Sequence, residues 1–307
     1  MPGETGTGPS VARRKARFVF PSTEPASPLP ALPQELAGSL FSVVFPSCCS
    51  LCRQELCEPC LTGICHACWE SLEPWSGPAC ARCGLPFASA FALDFEPGMC
   101  GLCRQEEYGF DCARSYGVYG GNLRAAILLL KFQRRERLGT RLGALMASAW
   151  DDLEKAVGSD PIWLVPVPLH SSRERERGFN QAHLLARGLS AALGKRPVGG
   201  APRVEGRILR RTRATPPQTG LSLRERRENV RGVFAVSDAA RVRDRALVLV
   251  DDVMTTGATL SECATALKHA GAGVVAALTL ARATPQFGDS GAGNDGPIVD
   301  GFAPPTR

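Results

Sequence analysis

Apolar positions change their spacing from about residue 113 onward, where strand-like and helix-like segments alternate along the chain. Short continuous apolar runs predict buried strands over Ile162–Pro168, Ala246–Val250 and Val274–Leu280. Apolar residues three or four positions apart predict helices over Asn122–Phe132, Asn180–Leu193 and Thr259–His269, and a charged helix is predicted over Arg224–Arg231. Strands that alternate with helices indicate βαβ units, so we expect an α/β fold in which helices flank a parallel sheet.

Composition divides the chain into four parts. Residues 1–38 and 284–307 are rich in small and turn-forming residues and lack periodicity, so we expect a disordered leader and a disordered tail. Residues 39–112 are cysteine-rich and too polar for a substantial core, which indicates that something other than packing stabilises this small module. Residues 113–283 carry the α/β pattern and form the predicted main domain.

The chain lacks the apolar segments that would take it into or across a membrane. No apolar run reaches the roughly 18 residues that a membrane span needs, and the run Phe18–Phe20 after the basic N-terminal residues is too short for a signal peptide. We therefore expect a cytoplasmic protein without membrane insertion. In that reducing compartment, the 13 cysteines, 12 of them between Cys48 and Cys112, favour metal binding over disulfides.

Cysteine pairs with two intervening residues define the candidate metal sites. Five such pairs occur: Cys49/Cys52, Cys57/Cys60, Cys65/Cys68, Cys80/Cys83 and Cys100/Cys103. Two pairs complete a tetrahedral site, and the spacing predicts one structural Zn²⁺ on Cys49, Cys52, Cys65 and Cys68 and a second on Cys80, Cys83, Cys100 and Cys103. The pair Cys57/Cys60 leaves an alternative open, because it could replace Cys65/Cys68 or remain free. We interpret Cys263 as a core residue of its helix.

One segment combines a strand, two acids, a turn and a helix between Ala246 and Ala270. The strand brings Asp251 and Asp252 to its carboxyl end, where ligands bind in open α/β sheets. Two carboxylates suit the vicinal hydroxyls of a ribose, which donate hydrogen bonds. The turn Thr255-Thr256-Gly257-Ala258-Thr259 opens a helix whose first N–H groups suit a phosphate. The segment therefore predicts a site for a ribose phosphate.

Basic residues concentrate in a second part of the chain. Residues 171–231 hold 15 Lys or Arg and five Asp or Glu, and a patch of this kind attracts phosphates. The run from Arg173 to Arg177 has two interpretations, a solvated helix start or a basic edge of the site. The following residues, up to Gln181, suit a loop that leads into a helix. If Ile208–Arg213 is a strand, Arg211 and Arg213 share one face.

Leu247–Thr259 resembles the motif with which type I phosphoribosyltransferases bind phosphoribosyl pyrophosphate (PRPP). Together with the cysteine pairs, further segments resemble the ComF family, whose members are described as ComFC- or GntX-like. These segments are Lys131–Phe132, Val165–Gln181, Leu209–Gln218, Arg226–Phe234 and Leu247–Arg282. The resemblance implies a type I phosphoribosyltransferase fold with a hood, preceded by a double zinc ribbon, and a link to DNA uptake.

The resemblance also assigns roles to the candidate residues. It implies that PRPP binds with Mg²⁺, that Asp251 and Asp252 hold the ribose hydroxyls, and that Thr255–Thr259 hold the 5′-phosphate. Leu169, His170 and Ser171 occupy the position of the family's pyrophosphate loop, with Arg177 at the same edge. Arg211 and Arg213 belong to a basic loop that closes over the reacting sugar in this enzyme class.

Two functions remain open from the sequence. The first is phosphoribosyl transfer to an acceptor that the sequence does not identify. The second is a non-catalytic module that senses PRPP or a nucleotide, or that binds single-stranded DNA or the DNA-uptake machinery. Phe179 is the single aromatic residue of the basic stretch 171–231, which disfavours base stacking, and we therefore favour the enzyme.

Overall fold

The computed structural model describes residues 48–56, 61–87, 98–105, 108–132, 135–158, 161–196, 200–215 and 223–284. Four predicted features lie outside these residues: the leader 1–38, all but one residue of the tail, the pair Cys57/Cys60 and the loop 216–220. Within them, no helix combines the length and the apolarity needed to cross a bilayer.

The described strands are β1 (Cys112–Val118), β2 (Trp163–Pro166), β3 (Arg203–Val204), β4 (Leu209–Arg211), β5 (Phe234–Val236), β6 (Leu247–Met254) and β7 (Val275–Arg282). The described helices are α1 (His66–Glu70), α2 (Gly101–Gln105), α3 (Gly121–Phe132), α4 (Glu136–Leu145), α5 (Trp150–Val157), α6 (Ser171–Arg177), α7 (Gln181–Leu193), α8 (Leu223–Val230), α9 (Ala239–Val242) and α10 (Ala258–His269). A 3₁₀ turn, Met146–Ala149, joins α4 to α5.

A five-stranded parallel sheet in the order β1-β7-β6-β2-β3 forms the centre of the molecule. Every residue of β7 is buried, and β6 is buried over its first four residues, because helices or ribbons cover both faces of the sheet. A separate antiparallel pair, β4 with β5, stands apart from this sheet as the hood. The predicted α/β fold with a parallel sheet, a hood and a preceding cysteine-rich module is confirmed.

Successive residues of β6 point into two different apolar clusters, as the alternation of a strand requires. Val248 and Val250 belong to a cluster that includes α3, α4, α7 and the apolar residues around the first four cysteines. Leu247 and Leu249 belong to the cluster on the other face, which includes α10, the hood and the second four cysteines. The two cysteine ribbons therefore pack against opposite faces of the sheet.

Several predicted boundaries differ from the structure by a few residues. The strand predicted over Ile162–Pro168 is limited to β2, which ends at Pro166; Pro168 beyond it lacks an N–H for the ladder. The strand predicted over Ile208–Arg213 is shorter and ends at Arg211. Asn180 caps α7 instead of belonging to it: its Oδ1 accepts a hydrogen bond from the Ala182 N–H at 3.0 Å.

Candidate functional site

Two adjacent carboxyl groups lie near the carboxyl end of β6. Asp251 is half-buried and Asp252 is 9% exposed. The backbone N–H of Asp252 donates to Oδ1 of Asp251 at 2.8 Å, which fixes the orientation of that carboxyl group. Burial, followed by the neighbouring Asp252 carboxylate, raises the pKa of Asp251 to about 7. The pair is therefore short of positive charge, and a hydroxyl donor or a cation would stabilise it.

Lys131, near the end of α3, supplies part of that charge. Its Nζ lies 3.0 Å from Oδ1 of Asp252, and the two side chains are 20% and 13% exposed. Although burial lowers the pKa of Lys131, the attraction of Asp252 outweighs it and raises the pKa above its ordinary value. Lys131 thus places a positive charge beside the acid pair. The apolar face of its helix, α3, lies in the core.

The turn after β6 leads directly into α10. Gly257 has a φ of 79°, in the left-handed region that favours glycine. A Cβ at this position would lie 2.7 Å from Cε of Met254, so the flexible end of that side chain would have to shift. The Ala258 N–H points to the Thr256 hydroxyl at 3.3 Å. Asp251, Thr255, Gly257 and their neighbours enclose a cavity of about 50 Å³ at the start of the helix.

The loop after β2 lies beside β6 in the sheet and leads to α6. His170 caps α6, because its Nδ1 accepts from the Ser172 N–H at 3.3 Å, and Leu169 and Ser171 line the basic cavity described below. The predicted helix from Arg173 to Arg177 is present, and Arg177 is half-buried at its end. Burial lowers the pKa of Arg177, and the Asp252 carboxylate acts against that lowering. The cation of Arg177 therefore lies within electrostatic reach of the acid pair.

The two arginines predicted in the hood have different environments. Arg211 is half-buried: its Nη2 donates to the Thr215 hydroxyl, and its guanidinium lies 5.6 Å from the centre of the Phe234 ring. Burial lowers the pKa of Arg211, and Asp251 is among the groups that oppose this change. Arg213 lies beyond the strand, is exposed, and donates to the Arg231 carbonyl at 3.1 Å. The shared strand face predicted for Arg211 and Arg213 was therefore wrong, because β4 ends before Arg213.

A basic cavity of about 810 Å³ opens between the loop after β2, the start of α7 and the hood. Five arginines line it: Arg203, Arg207, Arg210, Arg211 and Arg241. Two carboxylates, Glu174 and Glu205, also line the cavity, so its side chains carry a net positive charge. A cavity with this charge suits an anionic group.

Two of these arginines, Arg203 and Arg241, contact a buried carboxylate and a buried tryptophan. Glu205 is 6% exposed and forms ion pairs with Arg203 and with Arg241, the latter at 2.9 Å. The guanidinium carbons of Arg203, Arg241 and Arg245 lie 5.3, 5.6 and 4.2 Å from the centre of the buried Trp163 ring. These contacts restrict the rotamers of Arg203 and Arg241. The protein itself therefore positions the charges of these two cavity arginines.

Eight cysteines form two compact groups. The sulfur atoms within each group lie within 4.8 Å of one another. The groups are Cys49, Cys52, Cys65 and Cys68, and Cys80, Cys83, Cys100 and Cys103. Both predicted sets of ligands are thereby confirmed as spatial clusters.

The geometry of both groups fits zinc. Zn–S bonds of about 2.3 Å in a tetrahedron place sulfur atoms about 3.8 Å apart. The Cys52–Cys65 and Cys83–Cys100 sulfur distances are both 3.6 Å. Backbone N–H groups also point at the sulfurs: the Cys65 N–H lies 3.3 Å from Cys49 Sγ, and the Cys100 N–H lies 3.3 Å from Cys80 Sγ. Such donors stabilise thiolates, and the four-cysteine groups support two zinc ions.

The remaining described cysteines lie outside these groups. Cys48 is exposed, and Cys112 is buried in β1. Cys263 is fully buried on α10 with Leu260 and Leu267, so its prediction as a core residue is confirmed. His66 pairs with Glu70 at 3.1 Å on the exposed side of α1, which keeps it away from the sulfur cluster.

Two domain families match the chain. A double zinc ribbon domain matches residues 40–108, and a phosphoribosyl transferase domain matches residues 177–291. Competence protein F of Haemophilus influenzae is 32% identical over 237 residues, which cover 76% of this chain and 96% of that protein. The chain belongs to the ComF family.

Two further relatives also align over most of their own length. The DNA utilization protein YhgH of Escherichia coli K12 is 32% identical over 238 residues, 77% of this chain and 97% of that protein. Competence protein ComFC of Bacillus subtilis is 28% identical over 221 residues, 71% of this chain and 84% of that protein. Each of these alignments covers more than two thirds of this ComF-family chain.

Some residues near the site escaped the sequence analysis of this ComF-family chain. Lys131 entered only as part of the family resemblance, because nothing local connects it with Asp252, 121 positions later. Tyr108 and Arg282 contact the turn after β6 but lack a motif of their own. The cavity arginines Arg207 and Arg241 come together only through the tertiary fold.

Proposed function

We propose that the chain binds PRPP with Mg²⁺ and transfers its phosphoribosyl group to an acceptor in a process linked to DNA uptake. The observation that carries the proposal is the acid pair beside a phosphate-sized cavity at the start of α10, with Arg177 and Arg211 within electrostatic reach. Asp251 and Asp252 would accept hydrogen bonds from the ribose 2′- and 3′-hydroxyls. The turn Thr255–Thr259 would hold the 5′-phosphate through backbone N–H groups and hydroxyls.

The residues also suit the metal that this chemistry uses. Mg²⁺ prefers oxygen ligands and is usually bound by one or two carboxylates together with substrate phosphates. The raised pKa of Asp251 reflects a buried, under-neutralised carboxyl pair, which fits a nearby divalent cation. When bound, Mg²⁺ would offset the negative charge of the pyrophosphate.

The transfer step breaks one bond at C1 of the ribose and forms another. The C1–O bond to pyrophosphate breaks and the electron pair leaves with the pyrophosphate, while the acceptor nucleophile bonds to C1 and loses a proton. His170 and Arg177 at the β2 edge would bind the leaving group, and Arg211 would cover the sugar from the hood. Arg213, directed at the Arg231 carbonyl, would act in a closed form of the basic loop. The contribution of these residues is mainly electrostatic.

The acceptor would bind in the basic cavity beside the pyrophosphate loop. Arg207, Arg210 and Arg241 line this cavity, whose net positive charge favours an acceptor with an anionic group. The names of the relatives, Competence protein F and DNA utilization protein, connect such an acceptor with DNA. A nucleotide or an oligonucleotide has the required phosphate.

Titration calorimetry with PRPP and Mg²⁺ tests the binding part. We expect wild-type protein and Asp152→Asn, a change of an exposed carboxylate, to bind equally, and Asp252→Asn to lose affinity by about tenfold or more. Absence of PRPP binding by the wild-type protein would refute the proposal. Mass spectrometry after incubation with PRPP, Mg²⁺ and pooled bases, amines and oligonucleotides then tests turnover and identifies the product.

A non-catalytic module that senses PRPP or binds single-stranded DNA is the second candidate. The basic cavity and the relatives' names favour it, but Phe179, the one aromatic residue of 171–231, is buried and offers no stacking surface. DNA binding with a steep salt dependence and no pyrophosphate release would support this candidate over the enzyme.

A further inference from the structure

Two side chains, those of Arg282 and Tyr108, hold three successive carbonyl groups of the phosphate-binding turn. Nη1 of Arg282 donates to the Met254 carbonyl at 2.9 Å and also to the Thr255 carbonyl. The Tyr108 hydroxyl donates to the Thr256 carbonyl at 3.2 Å. Arg282 and Tyr108 are both buried; the bond to the Met254 carbonyl is buried, and the bonds to the Thr255 and Thr256 carbonyls are partly buried.

The held carbonyls determine where the next N–H groups point. In a trans peptide the C=O of one residue and the N–H of the following residue point in opposite directions. The N–H groups of Thr255, Thr256 and Gly257 are therefore turned away from the side chain that holds each carbonyl. The cavity of about 50 Å³ at this turn is lined by Thr255 and Gly257 but not by Tyr108 or Arg282. The geometry thus provides N–H donors for an anion in this cavity.

Tyr108 belongs to the second ribbon, although it contacts the sheet domain. It follows the last ligand of that ribbon, Cys103, by five positions, and its carbonyl accepts from Nη2 of Arg82 at 3.0 Å. Arg82 lies between Cys80 and Cys83 in the same cluster of ligands. The tyrosine ring also stacks on Phe110 with the ring centres 4.7 Å apart. Its position is therefore set by the fold around the second cysteine group.

The next residue ties the ribbon to α10. The Gly109 N–H donates to the Ser261 hydroxyl at 2.9 Å. A Cβ on Gly109 would lie 2.4 Å from the Ser261 carbonyl oxygen and 2.4 Å from the Thr265 hydroxyl, so the backbone touches the helix. A shift of the ribbon would consequently move both the turn and the helix that carries it.

Arg282 ends β7, and its side chain is 2% exposed. A buried cation depends on the polar groups around it. The carbonyls of Met254, Thr255 and Ala283 all accept from its Nη1, so the turn and the end of β7 are held together.

We propose that the second ribbon sets the geometry of the phosphate-binding turn, with Tyr108 and Arg282 as positioning residues. Occupancy of the second metal site and binding of a phosphate at the turn are then coupled, and by linkage each strengthens the other. The first ribbon packs on the opposite face of the sheet and lacks this effect. The inference rests on the proposed function for the identity of the ligand, whereas the ordering of the turn is a property of the free protein.

Tyr108→Phe removes one hydroxyl and tests the ordering directly. Tyr116→Phe is a matched control, since the buried Tyr116 hydroxyl also donates to a backbone carbonyl, that of Leu72, but far from the turn. Hydrogen exchange of the free protein is followed in the peptide covering residues 254–261. We expect exchange about fivefold faster in Tyr108→Phe than in wild type, and unchanged exchange in Tyr116→Phe. Equal exchange of wild type and Tyr108→Phe in a folded protein would overturn the inference.

Zinc release provides the second measurement. A chelator dye records the release of the two metals with and without ribose 5-phosphate. We expect ribose 5-phosphate to slow the release of one zinc several-fold in wild type and in Tyr116→Phe, with a smaller effect in Tyr108→Phe. Cys52→Ser, which alters the first site at an exposed ligand, identifies the protected metal: protection of the first zinc in place of the second would contradict the inference.

The two measurements also separate this inference from the proposed function. If wild type binds neither PRPP nor ribose 5-phosphate but Tyr108→Phe still speeds exchange in the turn, the proposed function fails and the positioning role stands. If PRPP binds and neither exchange nor zinc release responds to Tyr108→Phe, the positioning role fails and PRPP binding stands.

Discussion

Replacing Lys131 by methionine should destabilise the protein, because it leaves the Asp252 carboxylate without its partner. The Nζ–Oδ1 distance is 3.0 Å, and the two side chains retain 20% and 13% of their exposure. Breaking a fully buried pair costs about 3–5 kcal/mol, whereas exposed pairs contribute at most about 1 kcal/mol. The residual exposure places this pair between these limits, and we expect a loss of about 2–3 kcal/mol.

Urea unfolding of the zinc-saturated protein, followed by tryptophan fluorescence, measures this loss. Lys155→Met is the matched control, because Lys155 pairs with Asp152 at 3.5 Å but both side chains are more than two-thirds exposed, so its loss should stay below about 1 kcal/mol. In Lys131→Met/Asp252→Asn neither charge remains buried alone, and part of the stability should return. Equal unfolding midpoints for Lys131→Met and wild type, or a double variant that equals the sum of the single changes, would refute the reasoning.

Three further predictions concern the site and the metals. PRPP affinity should rise from about pH 5 to a plateau above about pH 8, because Asp251, whose pKa burial and Asp252 raise to about 7, must lose its proton to accept a ribose hydroxyl. Asp251→Asn should flatten this rise in calorimetry, leaving only the contribution of the ligand's own phosphates. The same raised pKa means that the contribution of Asp251 to stability decreases as the pH rises from about 4 to about 7, which urea unfolding of Asp251→Asn can check. Gly257→Ala should lower stability by about 1–2 kcal/mol and abolish PRPP binding, since φ is 79° and the new Cβ meets Met254 Cε; unchanged binding would contradict the assigned turn. Metal analysis should find two zinc ions per chain and one after Cys65→Ser, and a full complement in that variant would exclude Cys65 as a ligand.

Local patterns were sufficient for the centre of the fold. The order of strand, turn and helix from β6 to α10 was predicted, because its apolar run, acid pair, turn and helix are contiguous in the chain. α10 begins one residue before its predicted start, whereas β6 extends four residues beyond its predicted end at Val250 and includes both acids. The cysteine groups were equally accessible, since each ligand pair has its own short spacing. Asn180 and Gly178 likewise mark the passage from α6 to α7 through a side-chain cap and a left-handed backbone.

Features that depend on distant parts of the chain were not predictable. β1 was not predicted as a strand. Its buried residues occur in adjacent pairs instead of at every second position, and its sequence includes Arg114 and Gly117. The strand containing Arg211 ended early because its partner β5 has only three residues, which removed Arg213 from the shared face. The contact of Tyr108 with Thr256 spans 148 positions and has no counterpart in local spacing.

The packing of the ribbons on opposite faces of the sheet has a consequence for synthesis. Ribosomes add about 5–20 residues per second, so the 148 positions between Tyr108 and Thr256 correspond to roughly 7–30 s. During this interval Ile64, Trp69 and Phe110 lack the sheet that buries them in the finished protein. Metal captured early by the nascent ribbons would hold their shape until β6 and β7 emerge. We therefore expect zinc supplied during translation to raise the yield of folded protein more than zinc added afterwards.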